Sequence, residues 1–428
     1  MVYLTLFAIC VLGAGVDPQV QASGELIRGG PWRAWLESPG GELPFGLELQ
    51  KKNEAWKAWL INGADKTEVP RVQVEGDEIV LSIPHYDSTI RAKITEGGAK
   101  LDGEWTKRGR NDKIVRLPFH ATAGAHSRFP QKGMGAENAK RLSGRWSLRF
   151  AKDSEATVLV LNIQPGGVTT GSILTPTGDY GFLEGVTSYS THVEHFLGDV
   201  RLSTFDGAHA FLIVGAPRTQ DGLTMEGDFW SGDAFHDTWT AKKDDAAELP
   251  DAFAQTHFSE GAKLADISFP DLAGKTRSLA EPAFAGKARI IEVFGSWCPN
   301  CNDASRYLVE LHRKYKARGL SIVGLAFEYT GDFQRDAGQV RAFAKYHEIE
   351  YPLLLAGVSD REKASASLPI IDKLRAYPTI ILLDAEGKGR AVYTGFSGPT
   401  TGEEYTKFRA KFESLIEELL GSTKAGPG

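Results

Sequence analysis

The stretch Glu292-Val-Phe-Gly-Ser-Trp-Cys298-Pro-Asn-Cys301 decides how the C-terminal part of this chain is read. Two thiols in Cys-X-X-Cys spacing stand directly behind the apolar run "ARIIEVF", residues 288–294. After them, Ala304, Tyr307, Leu308, Leu311 and Tyr315 recur at helical intervals. A buried strand running into an amphipathic helix puts Cys298 at the helix N-terminus, where unsatisfied N–H groups and the positive end of the macrodipole favour thiolate over thiol. Cysteines in such settings have pKa values of roughly 3.5–7.5 instead of about 8.5, so Cys298 is read as the nucleophile. Pro299 suits the first helical position, having no N–H to lose and a φ already set. Cys301, one turn on and deeper, is placed to attack a mixed disulfide and release the reduced partner.

Glu292 is the odd residue, an acid inside an apolar strand. An unpartnered buried carboxylate is driven towards its neutral form. A carboxyl raised in this way beneath the thiols can take the proton of Cys301 as it attacks, and we read Glu292 as that acceptor. The remaining thiol, Cys10, lies in the N-terminal apolar run. A bridge between Cys298 and Cys301 closes too short a loop to staple a fold.

At 428 residues the chain has room for about three domains, at ~100–200 residues each. Apolar residues at 42% and charged residues at 24% are ordinary for globular domains. A net charge of -6 and the absence of a Lys/Arg cluster exclude a nucleic-acid binder. Residues 1–22 read as a signal peptide: "VYLTLFAICVLGAGV" is short for a membrane span and "VQA" ends at Ala22, although no Lys or Arg precedes the run. A lipid anchor is not expected, because bulky Ile9 precedes Cys10.

Ahead of the cysteines, two segments read alike. The first, 23–124, opens with "GPWRAWLE" around Trp32 and reaches "GGAKLDGEWTKRG" around Trp105. The second, 143–243, opens with "SGRWSLRF" around Trp146 and reaches "DGLTMEGDFWSGD" around Trp230. Short runs rich in Val, Ile, Leu, Thr and aromatics between Gly, Asp, Asn and Pro are antiparallel strands. The expected fold is multidomain: two all-β, barrel-like modules that read as a duplication, followed by an α/β thioredoxin-like domain at 258–421. Each module resembles the small lipocalin-like or avidin-like barrels. Residues 125–142 and 244–257 read as linkers and 422–428 as a flexible tail.

Rival chemistries fit less well. Zinc needs four ligands, and the pair supplies half a site, with His312 and His347 unplaced by sequence. A peroxidase of peroxiredoxin type would need other residues where Gly295 and Ile291 stand. His192 and His195 in "THVEHF" would point to opposite faces of a strand, and His85 in "PHYDS" reads as a strand end and turn. We therefore expect no metal and no cofactor beyond the redox-active pair.

Taken together, the active segment, "SFPDLAGKTRSLAEPAFAGKARII" (268–291), "AYPTIILLD" (376–384) and "GFSGPTTGEEYTKF" (395–408) resemble the TlpA/ResA-like thiol-disulfide oxidoreductases of the thioredoxin fold. Tyr329 to Leu355 resembles the helix and strand that this family adds. The resemblance implies a cis Pro378 facing the cysteines, with Tyr377 and Thr379 beside it and Trp297 covering the thiols, so that Trp297, Pro299, Tyr377 and Thr379 would contact substrate. It further implies an exported protein of the bacterial periplasm or envelope that reduces disulfides in client proteins, serving apocytochrome maturation or thiol maintenance, with an upstream thiol electron donor, soluble or membrane-bound. The β modules would then serve for docking. The alternative is an envelope binding protein whose β modules take a small ligand or envelope component and whose redox domain is the switch.

Overall fold

The computed structural model describes residues 27–124, 127–129, 134–153, 155–189, 197–219 and 221–421. The proposed signal segment with Cys10, the pair His192 and His195, and the tail 422–428 lie outside the described residues.

Both β modules are nine-stranded antiparallel sheets. In each, the first strand pairs with the second and with the last: Gly30–Ser38 lies between Gly41–Lys52 and Ile114–Ala123, and Gly144–Phe150 lies between Thr157–Ile163 and Phe235–Lys243. The opening tryptophans are used identically, for Trp32 Nε1 donates to the Arg28 carbonyl and Trp146 Nε1 to the Leu142 carbonyl, each at 3.1 Å. The sheets differ in closure. In the second module Thr157–Ile163 also pairs with Val168–Thr175, so eight of the nine strands form a closed barrel. In the first, the edge strands Asp65–Glu68 and Arg71–Glu75 share no ladder, and the sheet remains a half-barrel.

The closing tryptophan match needs correction. Trp105 is buried within its own sheet, whereas Trp230 packs outward against the first module. The inward position of the second module belongs to Phe229. The equivalent segments are thus Gly103-Glu-Trp105 and Gly227-Asp-Phe229. A Cβ on either glycine would sit 2.0 Å from a carbonyl of the neighbouring strand.

The open side of the half-barrel is covered by the outer face of the barrel. Along Ala210–Pro217, Phe211 and Ile213 point into the barrel while Ala210, Leu212 and Val214 join the core of the first module, as does Phe205. Period-2 alternation thus feeds two cores from one strand, which is why "AFLIV" is continuously apolar. Phe205 meets Phe45 at 4.6 Å and the edge of Trp105 at 5.2 Å. Its backbone N–H and C=O are both satisfied by the buried Asn62 amide, at 3.0 and 2.8 Å. Phe205→Ala is expected to lower the stability of the β region by about 3–5 kcal/mol, measured as the shift of its urea transition. A cost under about 1 kcal/mol would mean that the sheets do not share a core.

The segment read as a linker between modules is not featureless. Ala136–Leu142 forms a short helix whose Ala139 and Leu142, with Met134, pack into the barrel core. With only two apolar contacts in two turns, it had too little periodicity to announce itself. The second linker is docked as well: Thr394 N donates to the Ala252 carbonyl at 3.0 Å, and the Thr394 hydroxyl donates to Thr256 Oγ1 at 2.8 Å.

The C-terminal domain is a five-stranded sheet in the order Leu353–Val358, Leu320–Glu328, Ala288–Phe294, Thr379–Asp384, Gly389–Thr394. The first three strands are parallel and the last two antiparallel. Tyr307 of the helix Pro299–Tyr315 packs on Phe408 and Phe412 of the final helix, Glu403–Gly421. That final helix starts at Glu403, after a short turn Pro399–Thr401 in which the Thr401 hydroxyl donates to the Gly398 carbonyl.

Both β modules grip this domain. His85, in the turn Pro84–Tyr86, stacks on Tyr346 at 3.7 Å. Gln339 Nε2 donates to the carbonyls of Pro84 and His85, and Arg335 pairs with Asp87 at 2.9 Å. From the barrel, buried Asp179 accepts from Gly398 N at 2.8 Å and from the Thr400 hydroxyl at 2.7 Å. Half-barrel, barrel and α/β domain therefore meet around one region, the N-terminal end of the helix that follows Cys298.

Candidate active site

Cys298 caps the helix Pro299–Tyr315 in extended backbone (φ −99°, ψ 115°), with Pro299 at the first helical turn. Its Sγ accepts the Cys301 N–H at 3.2 Å, and its S–H donates to the Tyr377 carbonyl at 3.4 Å. The sulfur thus occupies the place where a capping oxygen would satisfy orphan amides. His312, Arg313 and Lys314 in the last turn suit the opposite pole of the helix. Both cysteines are free thiols, Cys298 5% exposed and Cys301 fully buried. Burial pushes the Cys301 thiol well up, reinforced by its neighbour Cys298 and by the negative charge of Glu292.

Glu292 is fully buried in the central strand, between Gly324 and Ile380 of the flanking strands. One carboxylate oxygen accepts from Ser305 Oγ at 2.6 Å and the other from Tyr351 OH at 3.1 Å. Ser305 lies one helical turn below Cys301, on the same face. Burial raises the Glu292 pKa to about 7, against the lowering effect of these two hydrogen bonds.

The Tyr377–Pro378 bond is cis. Tyr377 stands edge-on to Trp297 at 5.5 Å, and Trp297 stacks on Tyr329 at 4.9 Å while its Nε1 donates to the Phe327 carbonyl. Thr379, expected to face substrate, does not: it is fully buried and its hydroxyl donates to the Ala376 carbonyl at 2.9 Å. The residue after Pro378 has already entered the sheet, and its side chain is turned inward.

Three supports were not singled out by sequence reading. Glu328, also buried with a pKa raised by burial to about 7, accepts from Ser296 N at 2.8 Å and from Ser296 Oγ at 2.7 Å, fixing the loop before Cys298. Its signal was an acid closing the apolar run "SIVGLAFE". Asn302 donates to the Cys298 carbonyl at 3.0 Å and is held through its own oxygen by His347 Nε2 at 2.6 Å. Burial keeps His347 neutral, its pKa pushed down to about 2. Half-buried Lys107, from the half-barrel, donates to the Ala208 carbonyl at 2.9 Å. Burial lowers its pKa to about 8, opposed by the charges of Asp206 and Cys298.

Cys298 opens into a cleft of about 680 Å3 lined by all three units. The floor is Trp297, Cys298, Pro299 and Tyr377. The roof is the 107–115 region of the half-barrel and the Ser231–Phe235 turn of the barrel. The arrangement presents one sulfur to an incoming group, keeps the second behind it, and sets a carboxyl near neutrality beneath both.

Known proteins are similar to the C-terminal part of the chain. A family model described as "AhpC/TSA family" matches residues 261–392. The thiol-disulfide oxidoreductase ResA of Bacillus thuringiensis subsp. konkukian (strain 97-27) is 27% identical over 147 residues, 34% of this chain and 76% of that protein. ResA of Bacillus subtilis (strain 168) is 26% identical over 168 residues, 39% and 78% of the two chains. Among solved structures, a thiol:disulfide interchange protein DsbE from Chlorobium tepidum matches 38% of this chain and 99% of its own, at 19% identity and TM-score 0.29. The C-terminal domain of a thiol-disulfide oxidoreductase from Bacteroides thetaiotaomicron matches 36% and 92%, at 22% identity and TM-score 0.27. Residues 261–392 of the C-terminal domain therefore match the AhpC/TSA family model, and the domain that carries Cys298 and Cys301 is similar in sequence to the thiol-disulfide oxidoreductase ResA.

Proposed function

We propose that the chain works outside the cytoplasm as a reductase of disulfides in client proteins. The Cys298 thiolate attacks one sulfur of the client disulfide, whose S–S bond breaks, and the second client sulfur leaves and takes up a proton. Cys301 then attacks Cys298 Sγ, its proton passing to Glu292; the bond between Cys298 Sγ and the client sulfur breaks, and that sulfur leaves as a thiolate that takes a proton from solvent. Client sulfurs gain two electrons, and the enzyme ends as the Cys298–Cys301 disulfide. An upstream thiol donor returns it to the dithiol. Trp297, Pro299 and Tyr377, which line the cleft, contact the client; Pro378 holds the Tyr377 carbonyl toward Cys298.

The observation that carries this reading is the Cys298 sulfur capping a helix at 3.2 Å from the Cys301 amide, with a carboxyl buried under the same turn. It is tested with the full-length protein and dithiothreitol in an insulin-reduction assay, together with the reduction potential of the pair. Catalysed insulin precipitation and a potential near about −270 mV are expected. A potential near about −120 mV would make the protein an oxidant instead.

A further inference from the structure

The roof over Cys298 restricts what can reach it. With 5% of Cys298 exposed and segments of two β modules above it, the broad surface of a folded protein meets the sulfur less readily than a flexible segment does. A single extended chain can enter. The charge of this passage is opposite to that of the molecule. The chain carries a net -6, yet Lys107, Arg110, Lys113, Arg361 and Arg375 line the cleft and Asp233 is the one carboxylate among its described lining residues.

Asp233 is matched by Lys113 at 3.4 Å and Arg375 by Asp372 at 3.2 Å, whereas Arg110 and Arg361 have no carboxylate within ion-pair distance among the described residues. Arg110 lies over the rings of Trp297 and Tyr329, at 5.7 and 6.0 Å, directly beside the nucleophile. Two further groups face the cleft: the buried Tyr377 hydroxyl has no hydrogen bond among the described residues, and Phe235 at the rim, with Lys152 over its ring at 5.3 Å, is still 48% exposed. Cations concentrated in a cleft with low-dielectric walls focus their field on what enters.

We propose that the cleft selects unfolded client segments that carry carboxylates beside their disulfide. The inference rests on the reductase reading and narrows its substrate. Arg110 and Arg361 meet the carboxylates, the Tyr377 hydroxyl donates to the client backbone or side chain, and Phe235 takes an apolar residue at the mouth.

The test uses the reduced full-length protein and peptide disulfides of equal length whose cysteine is flanked by Asp, Ser or Lys, plus a folded protein with an Asp-flanked surface disulfide. The second-order rate of thiol loss is measured at low and high salt. Asp-flanked peptides should react at least about tenfold faster than Lys-flanked ones at low ionic strength, the ratio collapsing towards one as salt screens the cleft. The folded protein should react more slowly than any peptide. In the Arg110→Glu/Arg361→Glu chain the order of Asp and Lys peptides should invert. Equal rates for Asp and Lys peptides in the unmodified protein, or a folded substrate as fast as the peptides, overturn the inference and leave the reductase standing. Silence with every peptide overturns both.

Discussion

A chain carrying Cys298→Ser reduces no client disulfide above background, while Cys301→Ser reacts with one client molecule and stops as a stable mixed disulfide. The two outcomes follow from geometry. Only Cys298 reaches the cleft, and its sulfur holds the helix cap by accepting the Cys301 amide, a contact that the Cys301→Ser side chain does not touch. Cys301 is fully enclosed and its thiol is pushed well up by burial, so it cannot open the reaction but can close it. Loss of the attacking sulfur should cost at least about a thousandfold in turnover, since removing a nucleophile abolishes the covalent route. Insulin reduction and mass spectrometry of the trapped adduct read both variants. Retention of turnover by Cys298→Ser would remove the assignment of nucleophile and resolver.

Replacing Glu292 by Gln is expected to slow resolution of the mixed disulfide by about a hundredfold, the scale of losing a positioned general base, and to stabilise the protein at the same time. In the native chain, activity should fall as pH drops through about 7, because the Glu292 carboxyl becomes protonated and can no longer accept the Cys301 proton. That limb should disappear in Glu292→Gln. The stability effect has the opposite sense. The folded-state pKa, about 7, lies above the ordinary 4.5, so folding favours the protonated carboxyl. The contribution of Glu292 is most favourable below about pH 4.5, declines between 4.5 and 7, and is flat above. This gap corresponds to roughly 3 kcal/mol at 1.36 kcal/mol per pH unit, and the amide does not pay it. Glu292→Gln should therefore melt higher than the native chain at pH 8 and about equally at pH 4. Glu328 and Asp303, whose pKa values burial also raises to about 7, contribute to both chains alike, so the difference isolates Glu292. An unchanged pH limb in the single-turnover rate of Glu292→Gln would assign the proton to another acceptor.

Much of the C-terminal domain was legible because its signals are local. An apolar strand, a Cys-X-X-Cys cap and a helix with Tyr307, Leu308, Leu311 and Tyr315 on one face need only neighbours in sequence to be recognised. Glu292 could be singled out for the same reason, since one acid in a run of β-branched and aromatic residues is conspicuous. Its partners could not be: Ser305 is on the following helix and Tyr351 precedes Leu353–Val358, two strands later, and no spacing links them to the acid. Thr379 shows the converse, for the resemblance implied a substrate contact and the pleat of the strand turns its side chain inward.

The β modules show where local reading ends. Alternating runs and the repeated Gly-X-Trp openings announced two related sheets, and "AFLIV" already carried the mark of a strand buried on both faces. The tertiary structure alone decided what lies on the second face: the core of a half-barrel that cannot close itself. Likewise Lys107 and Phe235 lie on separate strands and Arg110 in the turn Arg110–Asp112, and they become the walls of one cleft only when three units dock. Sequence by itself determined the dithiol chemistry, because helix capping and strand burial act over a few residues. The shape and charge of the cleft over that dithiol were decided by packing between segments hundreds of residues apart, where complementarity of surfaces rather than local propensity does the selecting.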